Sequence, residues 1–400
     1  MMNFRQYNNC TKIVIPRNVR LSTNDFSKAF TNMQNLQYLD IDKNIENQID
    51  VISNDMYNEG MCYNCRSLIK SAVCGDKVTS MSGAYINCTN LTAAVCGDKV
   101  TDMGSAYQNC ATLTTAVCGP NVTGMSYAYY GCTNLTTAVC GDNVTDMSYA
   151  YYYCTNLTTA VCGDKVTSMH GAYNKCSNLT TAVCGPNVTS IYDAYNSCTN
   201  LTTAVCGPNV IDMHGAYYDC KNLTAAVCGD KVTDMGSAYS GCKNLTAAVC
   251  GPNVTSMSWT YYDCINLTTA VCGPNVTSMI GTYSNCTNLT TAVCGPNVTN
   301  MQSAYYNCEK IQGNSYFYSP NINSIINCFS GRYTSNMLNI YVPNNSTTLN
   351  TCLISNDSSL RGSAITWTND SANKRYYNTQ ANIYIYPVAN VYQAKIDNGE

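Results

Sequence analysis

Charge is scarce in this chain: 11% of its 400 residues are Asp, Glu, Lys or Arg, against roughly 25% in ordinary soluble proteins. With 21 basic and 24 acidic residues and a pI near 5.4, it has no basic footprint for nucleic acid or an anionic membrane. Neither is an expected partner. Long apolar runs are missing as well. No stretch approaches the ~20 apolar residues of a spanning helix, so membrane insertion is not expected. The start, "MMNFRQYNNCTKIVIPRNV", lacks the apolar core of a signal peptide, which points to synthesis in the cytoplasm. Only two histidines and two tryptophans occur. No Ser-His-Asp set, phosphate-cradling glycine loop or pair of catalytic carboxylates can be placed. The chain is expected to be neither an enzyme nor a cofactor carrier.

What it has instead is 27 cysteines and 33 tyrosines, set on a fixed period. Cys88, Cys110, Cys132 and their successors to Cys308 step by 22 residues, and a second ladder from Cys74 to Cys294 keeps the same step. One unit reads "CTNLTTAVCGPNVTNM" at residues 286–301. Such a unit cannot bury its own apolar face, so copies must stack into a continuous core.

Within "NLTTAVCG", Leu113, Ala116 and Cys118 are expected to point inward and Thr115 and Val117 outward, as a short strand alternates. Gly-Pro-Asn or Gly-Asp-Lys then signals a turn, after which Val122 and Met125 return to the interior. The stretch "SYAYYG" is too brief for a stable α-helix. One helical or 3₁₀ turn that buries Ala128 and Tyr129 is expected there.

This unit resembles the BspA-like leucine-rich repeat, whose pattern runs from a small residue and Cys through L-x-x-I-x-I-P, N-x-V-x-x-I and A-F. "IVIPRNV" at residues 13–19 and "KAFTNMQNLQYLDI" at 28–41 keep that pattern well. The likeness spans roughly residues 10–330 and departs where Ala and Cys replace larger aliphatics and Tyr replaces Phe. It implies a mainly β fold: a right-handed solenoid of parallel short strands with one helical or 3₁₀ turn per coil, plus a C-terminal capping module. The period divides the chain into degenerate N-terminal repeats or a cap at 1–64, a regular solenoid at 65–312, and a degenerate last coil with a β-rich capping or attachment module at 313–400. Each buried Tyr hydroxyl should find a hydrogen-bond partner.

Zinc or iron–sulfur sites need clustered ligands. Only Cys62 and Cys65 have that spacing, with no second pair nearby, so no metal is expected. Stacked cysteines ~4.8 Å apart fall within the Cα range of a disulfide, but in-register side chains do not converge to the ~3.8 Å that their Cβ atoms need. Buried free thiols acting as small apolar fillers are preferred, with some disulfides as the alternative. His170 and His214 share a repeat position and read as solvent-exposed variation. Asp102, Asp146, Asp212 and Asp234 read as turn formers.

Compared with one another, the coils hold Leu, Ala, Val, Cys, Gly and Met nearly constant and vary around "SYAYYG", "SYAYYY", "HGAYNK" and "SWTYYD". Tyr, Ser, Gly and Asn form the vocabulary of adaptable paratopes. Tyr127, Tyr130, Tyr149, Tyr152, Tyr153, Tyr218, Trp259 and Tyr262 are therefore expected to form an exposed strip that binds a protein or carbohydrate surface, with neutral drift on a solvated face as the alternative. A second candidate is the strand face, with rows of Thr115, Val117, Thr137, Val139, Thr159, Val161, Thr181 and Val183, although strand propensity alone favours such rows. Proteins similar to this one are commonly surface adhesins, and similar repeats occur in phage structural proteins. The expected role is non-catalytic recognition, as a phage virion or tail-associated receptor-binding protein contacting a bacterial surface. A bacterial cell-surface adhesin and a structural spacer or decoration protein are the alternatives. The module at 313–400 is expected to dock onto a larger assembly, placing the chain on a virion or a cell surface.

Overall fold

Leu113, Val122, Met125, Ala128, Tyr129 and Cys132 are all fully buried, and so are Leu135, Val144, Met147, Ala150, Tyr151 and Cys154 one period later. This set repeats through a computed structural model that describes residues 2–53, 59–69, 73–354 and 367–399. The chain divides into two compact units, Met1–Leu201 and Thr202–Glu400.

In the first unit each coil bonds to the next chiefly along the arc that follows the buried Met. Alternate residues donate forward: the Met103 and Ser105 N–H groups to the Gly124 and Ser126 carbonyls at 2.9 Å, and Tyr107 to Ala128 at 2.8 Å. The residues between them close i to i−3 turns, Ala106 onto Met103 and Gln108 onto Ser105. The expected 3₁₀-type turn is thus two turns in sequence. Each needs a left-handed residue, Ser105 (φ 52°) and Asn109 (φ 60°), to swing alternate amides toward the neighbouring coil. Before the arc, Asp102, Gly124, Asp146 and Ser168 form a row of parallel bridges. The Asp102 carboxylate accepts the Gly104 N–H at 2.8 Å and Asp146 that of Ser148 at 2.8 Å, the Asx-type turns that the sequence implies. In the second unit Asp212 and Asp234 do the same for His214 and Gly236.

The "TTAVC" segment is weaker as a strand than its pattern suggests. Thr115, Thr137 and Thr159 make single parallel bridges. The valine beside them is held by a tyrosine: Val117 N–H donates to the Tyr129 hydroxyl at 2.9 Å, which donates to the Val117 carbonyl at 2.6 Å. Tyr151 does the same for Val139, and Tyr261 for Val249 in the second unit. A hydroxyl both donates and accepts, so one phenol replaces two missing ladder bonds. The buried tyrosines stack with centroids 5.4 to 5.6 Å apart in the first unit, wider than the ~4.7–4.9 Å of a bonded ladder. Ladders form beside the phenylalanines of the column, and one of them reaches Val293, which also keeps its bonds to the Tyr305 hydroxyl. In the first unit β1 (Lys12–Ile15) pairs with β2 (Tyr38–Ile41) in the coils that contain Phe30; the helix α1 (Lys43–Glu46) follows, capped by Asp42.

The second unit carries the same coils and a six-stranded sheet. β3 (Val293–Cys294), β4 (Gly313–Phe317), β5 (Leu338–Pro343) and β8 (Ile383–Val388) run parallel, and β7 (Arg375–Asn378) and β6 (Thr368–Asp370) add antiparallel strands beyond β8. Phe329 stacks on Tyr305 at 5.6 Å beside β4, which is paired on both edges. Among the described residues, two helices, α2 (Thr347–Ile354) and α3 (Val391–Asp397), accompany the sheet. Part of the strand-like stretch expected after the last coil, residues 364–366, lies outside the described residues. Arg332 is buried and donates to the Ile311, Ala381 and Asn382 carbonyls, tying the last coil to the start of β8.

The cysteines are free thiols in two environments. Those of the Cys88 ladder fill the core: Cys88 donates to the Cys62 carbonyl at 3.1 Å, and members further along donate to a tyrosine carbonyl of an earlier coil, as Cys132 does to Tyr107 at 3.1 Å. Those of the Cys74 ladder are mostly half-exposed, Cys118 included, so Cys118 does not turn fully inward as Ala116 does. Burial pushes the Cys132 thiol up to about 12 and Cys96 likewise.

Candidate ligand-binding face

The arcs place the variable side chains. In the first unit the first left-handed position of the arc holds Tyr127 (φ 59°) and Tyr149 (φ 55°), and the second holds Tyr153 (φ 61°). Other coils put Ser105, Gly171 or Asp193 at the first position. A non-glycine residue there costs roughly 1–2 kcal/mol, and a bulky ring has no short polar side chain to compensate locally. These rings therefore stand where backbone preference disfavours them.

They also meet. Tyr127 and Tyr149 stack at 4.8 Å, and Tyr130 and Tyr152 at 4.6 Å with planes 6° apart. Tilted contacts of 6.0 and 6.1 Å join the two columns. His170 continues the first column, 4.9 Å from Tyr149 and 4.5 Å from Tyr192, with its Nε2 2.9 Å from the Tyr149 hydroxyl. It is a packed member of the cluster rather than solvated variation. Gly171 makes room, since a Cβ there would come within 2.6 Å of the Tyr149 ring. Lys175 Nζ lies 5.2 Å above the Tyr152 ring, a cation–π contact. Burial first, and the neighbouring phenols next, raise Tyr130 and Tyr149 above the ordinary tyrosine range. Below the rings, burial of Asp146 acts to raise its carboxyl, but hydrogen bonds from Ser126 and Ser148 outweigh it and hold the group below its usual range.

Tyr127 and Tyr153 are 38% and 48% exposed, while Tyr130, Tyr149 and Tyr152 are half-buried against one another. In the second unit, Trp259 (φ 59°) meets Tyr262 edge-on at 5.7 Å and lies over Gly281; Tyr218 is exposed. The structure thus gathers Tyr127, Tyr130, Tyr149 and Tyr152 in one unit and pairs Trp259 with Tyr262 in the other. Sequence reasoning missed His170 and Tyr192 as members. Glycine at position 171, one period after Tyr149, was the available signal. On the other candidate face, Thr115, Thr137, Thr159 and Thr181 are exposed, whereas Val117, Val139, Val161 and Val183 are half-buried. Among the described residues no grouping of His, Cys, Asp and Glu could hold a metal ion, and no helix is long and apolar enough to cross a membrane.

The family model of the BspA type leucine-rich repeat region (6 copies) matches residues 2–126, 105–224, 213–331 and 260–383. No curated protein matches the chain. Among solved structures, a leucine-rich repeat protein from Bacteroides ovatus is 12% identical, with a TM-score of 0.45 over 82% of this chain and 76% of that one. A leucine-rich cell surface protein from Faecalibacterium prausnitzii is 17% identical, with a TM-score of 0.45 over 83% and 88%. The functional domain of InlJ from Listeria monocytogenes, described as including a cysteine ladder, is 14% identical, with a TM-score of 0.27 over 96% and 82%. At these scores the likenesses carry no argument about ligand or partner.

Proposed function

Because the chain belongs to the BspA-type leucine-rich repeat family, we propose that it is a non-catalytic recognition solenoid offering the Tyr127, Tyr130, Tyr149 and Tyr152 rings to a protein or carbohydrate surface. The observation that carries this reading is the placement of two of these rings, Tyr127 and Tyr149, at left-handed positions where other coils hold a small residue, with Tyr130 and Tyr152 packed against them. Backbone strain of this kind accumulates at functional positions. The rings are pre-stacked, so little side-chain freedom remains to be lost on binding.

Two carriers suit such a solenoid: a phage virion or tail, and a bacterial cell surface. In either case residues 313–400 would form the attachment. The chain appearing in the mass spectrum of purified virions supports the first, and labelling by a surface-restricted reagent on intact cells supports the second. The recognition itself is tested with fluorescently labelled chain on a panel of bacterial cells and a glycan array. Saturable binding that is lost on replacing Tyr130 and Tyr152 by Ala supports the proposal. Binding unchanged in that double variant rejects it.

A further inference from the structure

In the second unit an open groove of about 760 Å³ runs along the turns that precede the arcs, a volume within the roughly 300–1,000 Å³ of known ligand sites. It uses none of the ring-cluster residues and does not depend on the reading above. Asn253, Asn275, Asn297 and Asn321 line it from successive coils, each preceded by proline. Its one charged lining residue is Lys231, at the end of the row. The proline fixes φ, so each turn is held ready before any ligand arrives.

The hydrogen-bond inventory is one-sided. Thr255 and Thr277 donate their hydroxyl hydrogens to the Thr233 and Thr255 carbonyls at 3.1 Å, and Thr299 donates to Thr277 at 3.2 Å. The side-chain amides of Asn253, Asn275 and Asn297 each donate at 2.8 Å to a carbonyl of the preceding turn. The groove is left with hydroxyl lone pairs and amide oxygens, plus one amide hydrogen per asparagine. It is rich in acceptors, poor in donors and nearly uncharged, and it repeats once per coil.

A polyanion would meet one cation here, and a polycation would meet no carboxylate. An apolar chain would strip water from these polar atoms without replacing its hydrogen bonds. A polyol brings hydroxyl donors at every residue, and a row of like sites suits a polymer better than one small molecule. We propose that this groove binds a neutral linear polysaccharide. The corresponding groove of the first unit contains Lys99 and Lys165, and Lys165 Nζ already occupies the Asn143 amide oxygen at 2.6 Å. The proposal therefore concerns the second unit alone.

The test is calorimetric titration of the full chain with cellohexaose, maltohexaose and mannohexaose, and with polygalacturonate as the charged comparison. The informative variant is Asn253→Lys/Asn275→Lys/Asn297→Lys. It installs the residue that stands at this position as Lys99, Lys165 and Lys231, so the coils are expected to keep their fold, which circular dichroism checks. The expected result is saturable binding of at least one neutral hexasaccharide, about tenfold or more weaker in the triple variant as several hydrogen bonds are lost. Binding by none of the three, equal affinity in the triple variant, or tighter binding of polygalacturonate overturns the proposal. Tyr130→Ala/Tyr152→Ala is expected to leave this titration unchanged. Loss of hexasaccharide binding in that variant would move the site to the rings and overturn the groove, which keeps the two readings separable.

Discussion

Replacing Tyr151 by Phe removes one oxygen from a ring that is otherwise fully buried. That oxygen accepts the Val139 N–H at 2.9 Å and donates to the Val139 carbonyl at 2.6 Å. No ladder bond of a neighbouring strand stands in for either, because Thr137 contributes only isolated bridges. Orphaning a buried backbone group costs about 1–3 kcal/mol. Val139 is half-buried, so water can recover part of the loss, and the variant is expected to be destabilised by about 1–3 kcal/mol. Ring stacking on Tyr129 and Tyr173 should survive, as stacking does not involve the hydroxyl. Denaturant unfolding gives the stability difference, and native-state hydrogen exchange gives its location, as faster exchange at the Val139 amide. Phe329 serves as an internal control, since β4 beside it is paired on both edges and no phenol is needed. A loss below about 0.5 kcal/mol with unchanged protection at Val139 would refute the argument that tyrosine stands in for the ladder.

Four further outcomes are expected. Leu157→Ala, at a fully buried position, should cost about 2–5 kcal/mol and split melting into two transitions, because coils contact chiefly their neighbours; a single cooperative loss of the whole chain contradicts this. At Trp259 (φ 59°), the Gly variant should be more stable than the Ala variant by about 1 kcal/mol in denaturant midpoints, and equal or reversed order removes the strain argument. The native thiols of the Cys88 ladder should resist a disulfide reagent at pH 8 and react after unfolding, since burial pushes Cys132 up to about 12; fast native reaction contradicts the burial. Because that folded value lies above the unfolded one, the thiols' contribution to stability is complete below the unfolded pKa of about 9 and declines as pH rises from there toward 12. Thermal melts should therefore lose stability above pH ~9, and a flat profile to pH ~12 would count against it.

The repeat, the inward set of Leu, Val, Met, Ala, Tyr and Cys, and the Asx turns at Asp102 and Asp146 were all legible, because each depends on a local pattern copied every 22 residues. The aromatic residues were found as variable positions, but not their grouping. That Tyr149 meets His170 as well as its own copy Tyr127 depends on Gly171 leaving space, which is a contact between coils. The "TTAVC" segment misled in degree: β-branched alternation reads as a strand, yet small Ala and Cys side chains and a bridging phenol leave it with single bridges. The row of turn asparagines was passed over, since Pro-Asn in one unit signals only a turn.

Sequence alone determined that the chain must stack, because one 22-residue unit has an apolar face that nothing within itself can cover. It also determined which side chains fill the core, since their identity is fixed coil after coil. Only the tertiary structure decided where hydrogen bonds run between coils, which rings share a column, and which donors are engaged before a ligand arrives. Those depend on the side chain a full period away, at a distance and orientation that local pattern does not encode.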